Sequence, residues 1–160
     1  LRHVGAGQHL DLGRAGRWDR EGPPAEQADG LALYNNLAEL AVRRSDVDEA
    51  LMLLARAEAL GRFLGSDDAL ADAHRNHAMA LLASGDFKEA ERHARQALDH
   101  ATRIGSPHFL GPVHRTLAQL YQARRAHPGG RPVARTTVLR HLDAAIEAFD
   151  ARPRRIAGSG

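Results

Sequence analysis

The sequence predicts an all-α fold, a right-handed α-solenoid of three antiparallel helix hairpins. Apolar residues recur at three- and four-residue spacing, which is typical of amphipathic helices. The whole pattern also recurs after forty residues, the separation of Asp46 and Asp86. Because a single hairpin cannot cover its own apolar stripe, hairpins with such a period stack on one another. We expect them over residues 31–66, 67–106 and 107–153.

The central hairpin shows the pattern most clearly. Its two apolar stripes are broken once, at Ser84, Gly85 and Asp86. Gly85 suits a tight turn, Asp86 is a good N-cap, and Glu89 three residues later predicts a capping box. The first stripe comprises Leu70, Ala73, His77, Ala78, Leu81 and Leu82, and the second comprises Phe87, Ala90, Ala94, Ala97, Leu98, Ala101 and Ile104.

The positions that define this hairpin recur in its neighbours. A shift of forty residues aligns the turn, the cap, the capping glutamate and the closing Gly-Ser together, which chance does not explain. The coinciding pairs are Asn36/Asn76, Ala38/Ala78, Asp46/Asp86, Glu49/Glu89, Ala50/Ala90, Ala57/Ala97, Gly65/Gly105 and Ser66/Ser106. A second shift places His114 and Arg115 on His74 and Arg75, Ala118 on Ala78, and Tyr121 on Leu81.

The flanking hairpins predict their own buried faces. In the first hairpin these are Leu33, Leu37, Leu40 and Ala41, then Val47, Ala50, Leu51, Leu54, Ala57 and Leu60. In the third they are Val113, Leu117, Leu120 and Tyr121, then Val138, Leu142, Ala145, Ile146 and Phe149. Glycine and proline predict a loop over residues 126–132.

The two ends of the chain predict little regular structure. Residues 1–30 are rich in glycine and contain Pro23-Pro24, so we expect a poorly ordered arm or the remnant of a preceding repeat. The first helix then begins at Leu31. Residues 154–160 predict a disordered tail.

The repeated residues resemble the tetratricopeptide repeat (TPR) family, in the long-repeat subgroup found in bacterial regulators and kinesin light chains. The matching features are small residues at Ala38, Ala78 and Ala118 in first helices and at Ala57, Ala97 and Ala145 in second helices, the turn Gly85-Asp86-Phe87-Lys88-Glu89-Ala90, and the closing Leu64-Gly65-Ser66 and Ile104-Gly105-Ser106. Ser45 departs from the pattern, because it replaces the turn glycine. The resemblance covers residues 31–153 and implies a TPR-like solenoid that binds proteins.

Composition agrees with a helical domain. The 160 residues are 43% hydrophobic but 4% aromatic, so Ala and Leu build the core. The formal net charge is +2, and Lys88 is the only lysine among many arginines, which suggests a bacterial genome of high GC content. Without cysteine there is no disulfide or thiolate chemistry. No apolar run or signal segment occurs, so we expect a cytoplasmic protein without membrane contact.

In the family that the chain resembles, the first helices line a concave groove that holds a partner peptide. That register, carried over, predicts a binding surface of Asn35, Asn36, Glu39, Arg43, Arg75, Asn76, Met79, Arg115, Thr116, Gln119 and Gln122. Asparagine amides can bond an extended backbone, and arginines can bind carboxylates. The equivalent pairs Asn36/Asn76 and Arg75/Arg115 resemble a clamp for an acidic C-terminus. Alternatively, these residues are only the solvated faces of three helices.

Ten histidines raise the question of a metal site. His74 and His77 lie one helical turn apart, and His93 and His100 lie two turns apart on the partner helix. No His-Glu-x-x-His string occurs and no nearby acid completes a ligand set. We therefore expect no metal, and instead partly buried, hydrogen-bonded histidines. A pH-responsive core is the alternative.

Other motifs carry little chemistry. The glycine pairs Gly5-x-Gly7 and Gly129-Gly130 lack the strand and helix of a phosphate loop. The basic clusters at Arg124-Arg125 and at residues 152–155 lack interleaved aromatic residues, so neither nucleic acid nor a cofactor is expected. No acid has the apolar setting of a general acid, so the chain is not expected to be an enzyme.

The sequence thus predicts a protein- or peptide-binding domain, the sensing or scaffold part of a bacterial transcriptional or signalling regulator. Two alternatives belong to other classes. One is a helical accessory domain of an enzyme. The other is a self-association module that forms a homodimer, with Trp18 or the last helix docking on a second copy.

Overall fold

The computed structural model describes residues 24–128 and 132–151, and within these ranges the chain forms six helices and no strand. The helices are α1 (Pro24–Arg43), α2 (Val47–Leu64), α3 (Asp67–Ser84), α4 (Phe87–Ile104), α5 (Pro107–Ala126) and α6 (Arg135–Asp150). The all-α prediction is confirmed. None of these helices is long and apolar enough to cross a bilayer.

The helices pack in the order expected of a solenoid. Each helix packs on the next, which gives three hairpins: α1 with α2, α3 with α4, and α5 with α6. In addition, α1 packs on α3 and α3 packs on α5. Comparable packing does not join α2, α4 and α6 within the described ranges. The first helices therefore form one continuous side of the stack.

Residues in the left-handed backbone region end the helices at four turns. Gly85 has a φ of 82°, and Ser45, at the equivalent turn of the first hairpin, has a φ of 62°. Gly65 and Gly105 close the first two hairpins with φ of 64° and 67°. Ser45 therefore adopts the same left-handed conformation as Gly85. For a residue with a side chain, that conformation costs about 1 kcal/mol in steric strain.

The predicted capping box forms only in half. The carboxylates of Asp46 and Asp86 accept hydrogen bonds from the backbone N–H of the residue three positions on, at 3.1 and 3.2 Å. The backbone N–H of Asp86 donates to the carbonyl of Leu81, so it is not available to Glu89. Glu89 binds Arg92 instead, at 2.7 Å.

Helix α1 begins at Pro24, so the expected start at Leu31 is wrong. Proline is tolerated in a first helical turn because the N–H that it lacks has no helical partner there. The buried face of α1 also starts early, with Gln27 only 6% exposed. The glycines and the proline pair, which predicted an irregular arm, do not prevent a helix from Pro24 onwards. Residues 1–23 and 152–160, which include Trp18, the rest of the predicted arm and the predicted tail, lie outside the described residues.

Two apolar clusters form the core, one centred on the first hairpin and one on the second and third. Leu54, Leu117 and Leu120 are fully buried. The alanines at the predicted helix crossings, Ala38, Ala57, Ala78, Ala97 and Ala118, are at most 1% exposed. Small residues therefore allow the helices to approach closely, as the repeat pattern predicts.

The predicted buried faces of α1 and α6 need correction. In α1, Leu33 and Leu40 are 55% and 49% exposed, and the buried stripe is Leu31, Tyr34, Ala38 and Ala41. In α6, Leu142 and Ile146 are 38% and 57% exposed. These are the outermost described helices. Within the described stack, no hairpin covers the outer side of α1 or of α6. Part of the apolar surface of each helix therefore stays exposed.

Candidate functional site

A groove of about 520 Å³ crosses the C-terminal ends of the three first helices. Its lining consists of Val42 from α1, Met79, Leu82 and Ala83 from α3, and Gln119, Gln122, Ala123 and Ala126 from α5. We call it the first-helix groove. Its floor is mainly apolar, and two glutamine amides supply its polar groups.

Three of the residues predicted to bind a partner lie in this groove: Met79, Gln119 and Gln122. Asn36 and Arg43 on α1 and Arg115 on α5 are exposed but do not line the groove. Asn35 and Glu39 are half-buried. The first-helix groove therefore lies nearer the helix ends than the predicted surface as a whole.

Two predicted residues are buried and have no accessible surface for a partner. Asn76 is 4% exposed and Thr116 is 2% exposed. The hydroxyl of Thr116 donates a hydrogen bond to the carbonyl of Pro112, at 3.1 Å. A threonine inside a helix commonly makes this bond to the carbonyl four residues earlier, so its hydroxyl is already engaged within α5. Burial therefore leaves Asn76 and Thr116 with structural roles inside the stack.

The predicted arginines do not form a matched pair. Nη1 of Arg75 contacts Sδ of Met79 at 3.4 Å, and its Nε lies 3.8 Å from Asp72. Burial raises the pKa of the Asp72 carboxyl, with Arg75 acting against that shift. Arg115 is exposed and forms no ion pair with any residue that the structure describes. The predicted clamp therefore lacks two equivalent, free cations.

A second candidate site lies between the first two hairpins. Glu58 of α2, His74 and His77 of α3, and His93 of α4 are each at most 8% exposed, and we call them the buried histidine cluster. Nδ1 of His74 lies 3.0 Å from Nδ1 of His93. The expectation of buried histidines between helices is confirmed. The expectation that no acid completes the set is wrong, because Glu58 reaches it from the preceding hairpin.

The contacts of Glu58 within this cluster favour its ionised form. Burial alone would raise the pKa of its carboxyl, but contacts with His74 and His77 hold the pKa well below its usual range. Its Oε1 lies 3.2 Å from Nδ1 of His74 and 3.4 Å from Nδ1 of His93, and it also contacts Nδ1 of His77. Its other oxygen, Oε2, accepts from Arg62 at 2.7 Å. Burial and the neighbouring His77 lower the pKa of His93 to about 4.

Two further histidine contacts flank the cluster. The ring of His100 stacks on His74, and its Nδ1 lies 2.5 Å from Oδ1 of Asp67. Two hydrogen bonds lower the pKa of Asp67 to about 2, the larger effect coming from Arg103 and the smaller from His100. In the third hairpin, Nδ1 of His114 lies 3.0 Å from Nδ1 of His141. Each contact joins the two helices of a hairpin.

Helix hairpins that pack one after another, with their first helices joined along one side, define an α-solenoid repeat protein. Residues 31–103 match the model of the tetratricopeptide repeat, so this part of the chain is similar to that family. Its repeats generally mediate protein–protein interaction. The long-repeat subgroup stays a prediction. No match to the chain was found among curated proteins or among solved structures.

Proposed function

We propose that the chain binds a segment of a partner protein in the first-helix groove. One observation carries the proposal: a single groove is lined by α1, α3 and α5 and by no second helix. The family's general role in protein–protein interaction supports it.

The lining indicates the chemistry of the partner segment. Val42, Met79 and Leu82 offer apolar surface to an aliphatic or aromatic side chain, and a methionine adapts its shape to different ligands. The amides of Gln119 and Gln122 each donate and accept hydrogen bonds, which suits a partner backbone. A segment with an apolar anchor therefore fits better than one recognised mainly by its carboxylate.

The two methionines of the chain provide a matched test. Met79 lines the groove, whereas Met52 lies on α2 and is 42% exposed. Peptides selected on an array are resynthesised and titrated by fluorescence anisotropy. We expect Met79→Glu to weaken binding at least about 10-fold, because it places a charge in the apolar floor. Met52→Glu should bind as the wild type does. Equal affinities for all three proteins would contradict the proposal.

We further propose that the chain is the sensing or scaffold part of a cytoplasmic bacterial transcriptional or signalling regulator. This rests on the resemblance to the long-repeat subgroup and on the arginine-rich, lysine-poor composition. The complete gene tests it. A DNA-binding or nucleotide-switch domain encoded beside these repeats agrees with the proposal, and a catalytic domain supports the enzyme-accessory alternative.

Self-association is a second candidate function, favoured by the apolar side chains on α6. Leu139, Leu142 and Ile146 are all more than a third exposed. If this face joins two copies, light scattering shows a dimer that Ile146→Glu converts to a monomer. A wild-type monomer, or a dimer that the substitution leaves intact, excludes this role for α6.

A further inference from the structure

The buried histidine cluster has the dimensions of a tetrahedral ligand set. One donor atom from each of its four residues lies within 4.8 Å of the others. Metal bonds of about 2.0 Å place the corners of a tetrahedron about 3.3 Å apart. Among Nδ1 of His74, Nδ1 of His93 and Oε1 of Glu58, the three separations are 3.0, 3.2 and 3.4 Å. Three corners therefore already have the spacing of coordinated atoms. The fourth donor, Nδ1 of His77, lies closer to Oε1 of Glu58 than two ligands of one ion do, so these two atoms must move apart when the ion binds.

Two atoms of the cluster lack a hydrogen bond. Oε1 of Glu58 and Nδ1 of His77 are buried and contact each other, but neither has a partner with hydrogen-bond geometry in the described structure. Buried polar atoms in folded proteins nearly always have a partner, because leaving them without one is costly. A cation that both atoms bind, once they have moved apart to the spacing of two ligands, would satisfy both.

We propose that Glu58, His74, His77 and His93 bind one divalent transition-metal ion, with zinc as the preferred metal. Three imidazoles and a carboxylate form a donor set that zinc accepts with tetrahedral geometry. All four ligands come from the protein and all are buried, so the site is closed and structural. Because Glu58 lies in the first hairpin and the histidines in the second, the ion joins neighbouring repeats.

Arg62 is placed to orient the carboxylate. Its Nη2 donates to Oε2 of Glu58 at 2.7 Å, which leaves Oε1 directed at the histidines. Residues that hold a metal ligand in this way typically contribute 10–100-fold to affinity, so we expect Arg62→Ala to weaken zinc binding by about that factor. Arg62 is a positioning residue, since it does not contact the metal position.

Arg92 should have the opposite effect. Its Nη2 lies 2.8 Å from Nε2 of His93. A metal on Nδ1 of a neutral His93 leaves the proton on Nε2, and two donors then face each other. Arg92 has other partners, Glu89 at 2.7 Å and Gln96 at 3.0 Å. It can therefore release His93, and we expect Arg92→Ala to bind zinc at least as tightly as the wild type.

The third hairpin contains a built-in control. His114 and His141 approach each other at 3.0 Å, as His74 and His93 do. The forty-residue shift, however, places Leu98 at the position of Glu58 and Leu117 at that of His77. This histidine pair therefore lacks the other two ligands. We expect the double variant His114→Ala/His141→Ala to bind zinc as the wild type does.

The experiment uses the 160-residue chain, stripped with a chelator and titrated with zinc against a chromophoric competitor. We expect one tight equivalent, an affinity loss of more than about 100-fold in His77→Ala and Glu58→Gln, and no loss in the third-hairpin control. At a free zinc concentration a hundred times Kd, Tm should rise by about 10 °C. Cobalt should give the intense visible absorption of a tetrahedral site.

Circular dichroism in chelator shows whether each variant folds. If a variant does not fold, the coordination of the metal in the wild-type protein still tests the proposal. X-ray absorption of bound zinc should show four ligands, three of them imidazole. No tight equivalent, a six-coordinate ion, equal loss in the third-hairpin control, or unchanged affinity in folded His77→Ala would each overturn it.

Discussion

Oε1 of Glu58 lies 3.2 Å from Nδ1 of His74, and this contact joins the first repeat to the second. The side chains are 8% and 3% exposed. A buried carboxylate is tolerated only where other groups compensate its charge or bond to it, and here Arg62 donates to it and His74 and His77 contact it. The interface between these repeats is therefore polar at its centre, and its stability depends on one acid.

Glu58→Gln should destabilise the metal-free chain. The substitution keeps the volume but removes the charge that binds Arg62 and the acceptor that the histidines contact, so we expect the free energy of unfolding to fall by about 2 kcal/mol. Urea titration in chelator, followed by circular dichroism, measures the change. The matched control is Glu49→Gln, whose surface pair with Arg44 should contribute less than about 1 kcal/mol. Equal stability of Glu58→Gln and the wild type contradicts the prediction.

Ser45→Gly should stabilise the first hairpin. Ser45 has a φ of 62°, and glycine occupies that conformation without a side-chain clash. We expect a gain of about 0.5–1 kcal/mol in the free energy of unfolding. The reverse change at the equivalent turn, Gly85→Ser, should lose a similar amount. Thermal melts of the two variants check both signs, and a loss in Ser45→Gly would show that the serine hydroxyl matters more than its backbone.

Tyr121→Phe should weaken the contact between the second and third hairpins. The hydroxyl of Tyr121 donates to Glu91 at 3.1 Å, and Arg124 binds the same carboxylate at 2.5 Å. Because Arg95 and Arg124 still compensate Glu91, we expect a loss of only about 1 kcal/mol. In a Glu91→Gln background the loss should shrink, which a double-mutant cycle measures. An unchanged loss in that background would mean that the hydroxyl does not act through Glu91.

The pair His114 and His141 should make stability depend on pH. Burial lowers the pKa of both histidines from 6.5, and for His141 the neighbouring His114 and Arg140 add to the effect. The unfolded chain therefore takes up these protons first, so the free energy of unfolding falls as the pH drops below about 6.5. Urea titrations from pH 8 to pH 5 should show a shallower decline in His114→Gln/His141→Gln. A decline as steep as that of the wild type would contradict this assignment.

Local sequence signals predicted most of the fold. The cap at Asp86, the turn at Gly85 and the alanines at helix crossings depend on residues within a few positions, and the structure has all of them. The start of α1 was missed because Gly30 and the Pro23-Pro24 pair were interpreted as helix breakers, whereas the helix begins at Pro24 and continues through Gly30. The exposure of Ile146 depends on which element covers α6, and no local pattern contains that information.

The candidate sites were less predictable because they depend on distant pairs. Helical spacing placed Met79, Gln119 and Gln122 on the correct face, but it could not distinguish them from Asn76 and Thr116, which neighbouring helices bury. Glu58 precedes His74 by sixteen positions and joins it only through the packing of α2 on α3. The forty-residue repeat contains one signal that could have found Glu58. Its equivalent in the second hairpin is Leu98, so a glutamate at this apolar position indicates a buried partner.

The most direct test of the account is a methionine NMR titration. The chain has two methionines, one in the first-helix groove and one on α2, so protein labelled with ¹³C at the methionine methyl groups gives two assignable signals. Adding a peptide selected for binding should shift the Met79 signal and leave the Met52 signal in place. A shift of Met52 alone, or saturation of binding with no change at Met79, would contradict the claim that the first helices form the binding surface.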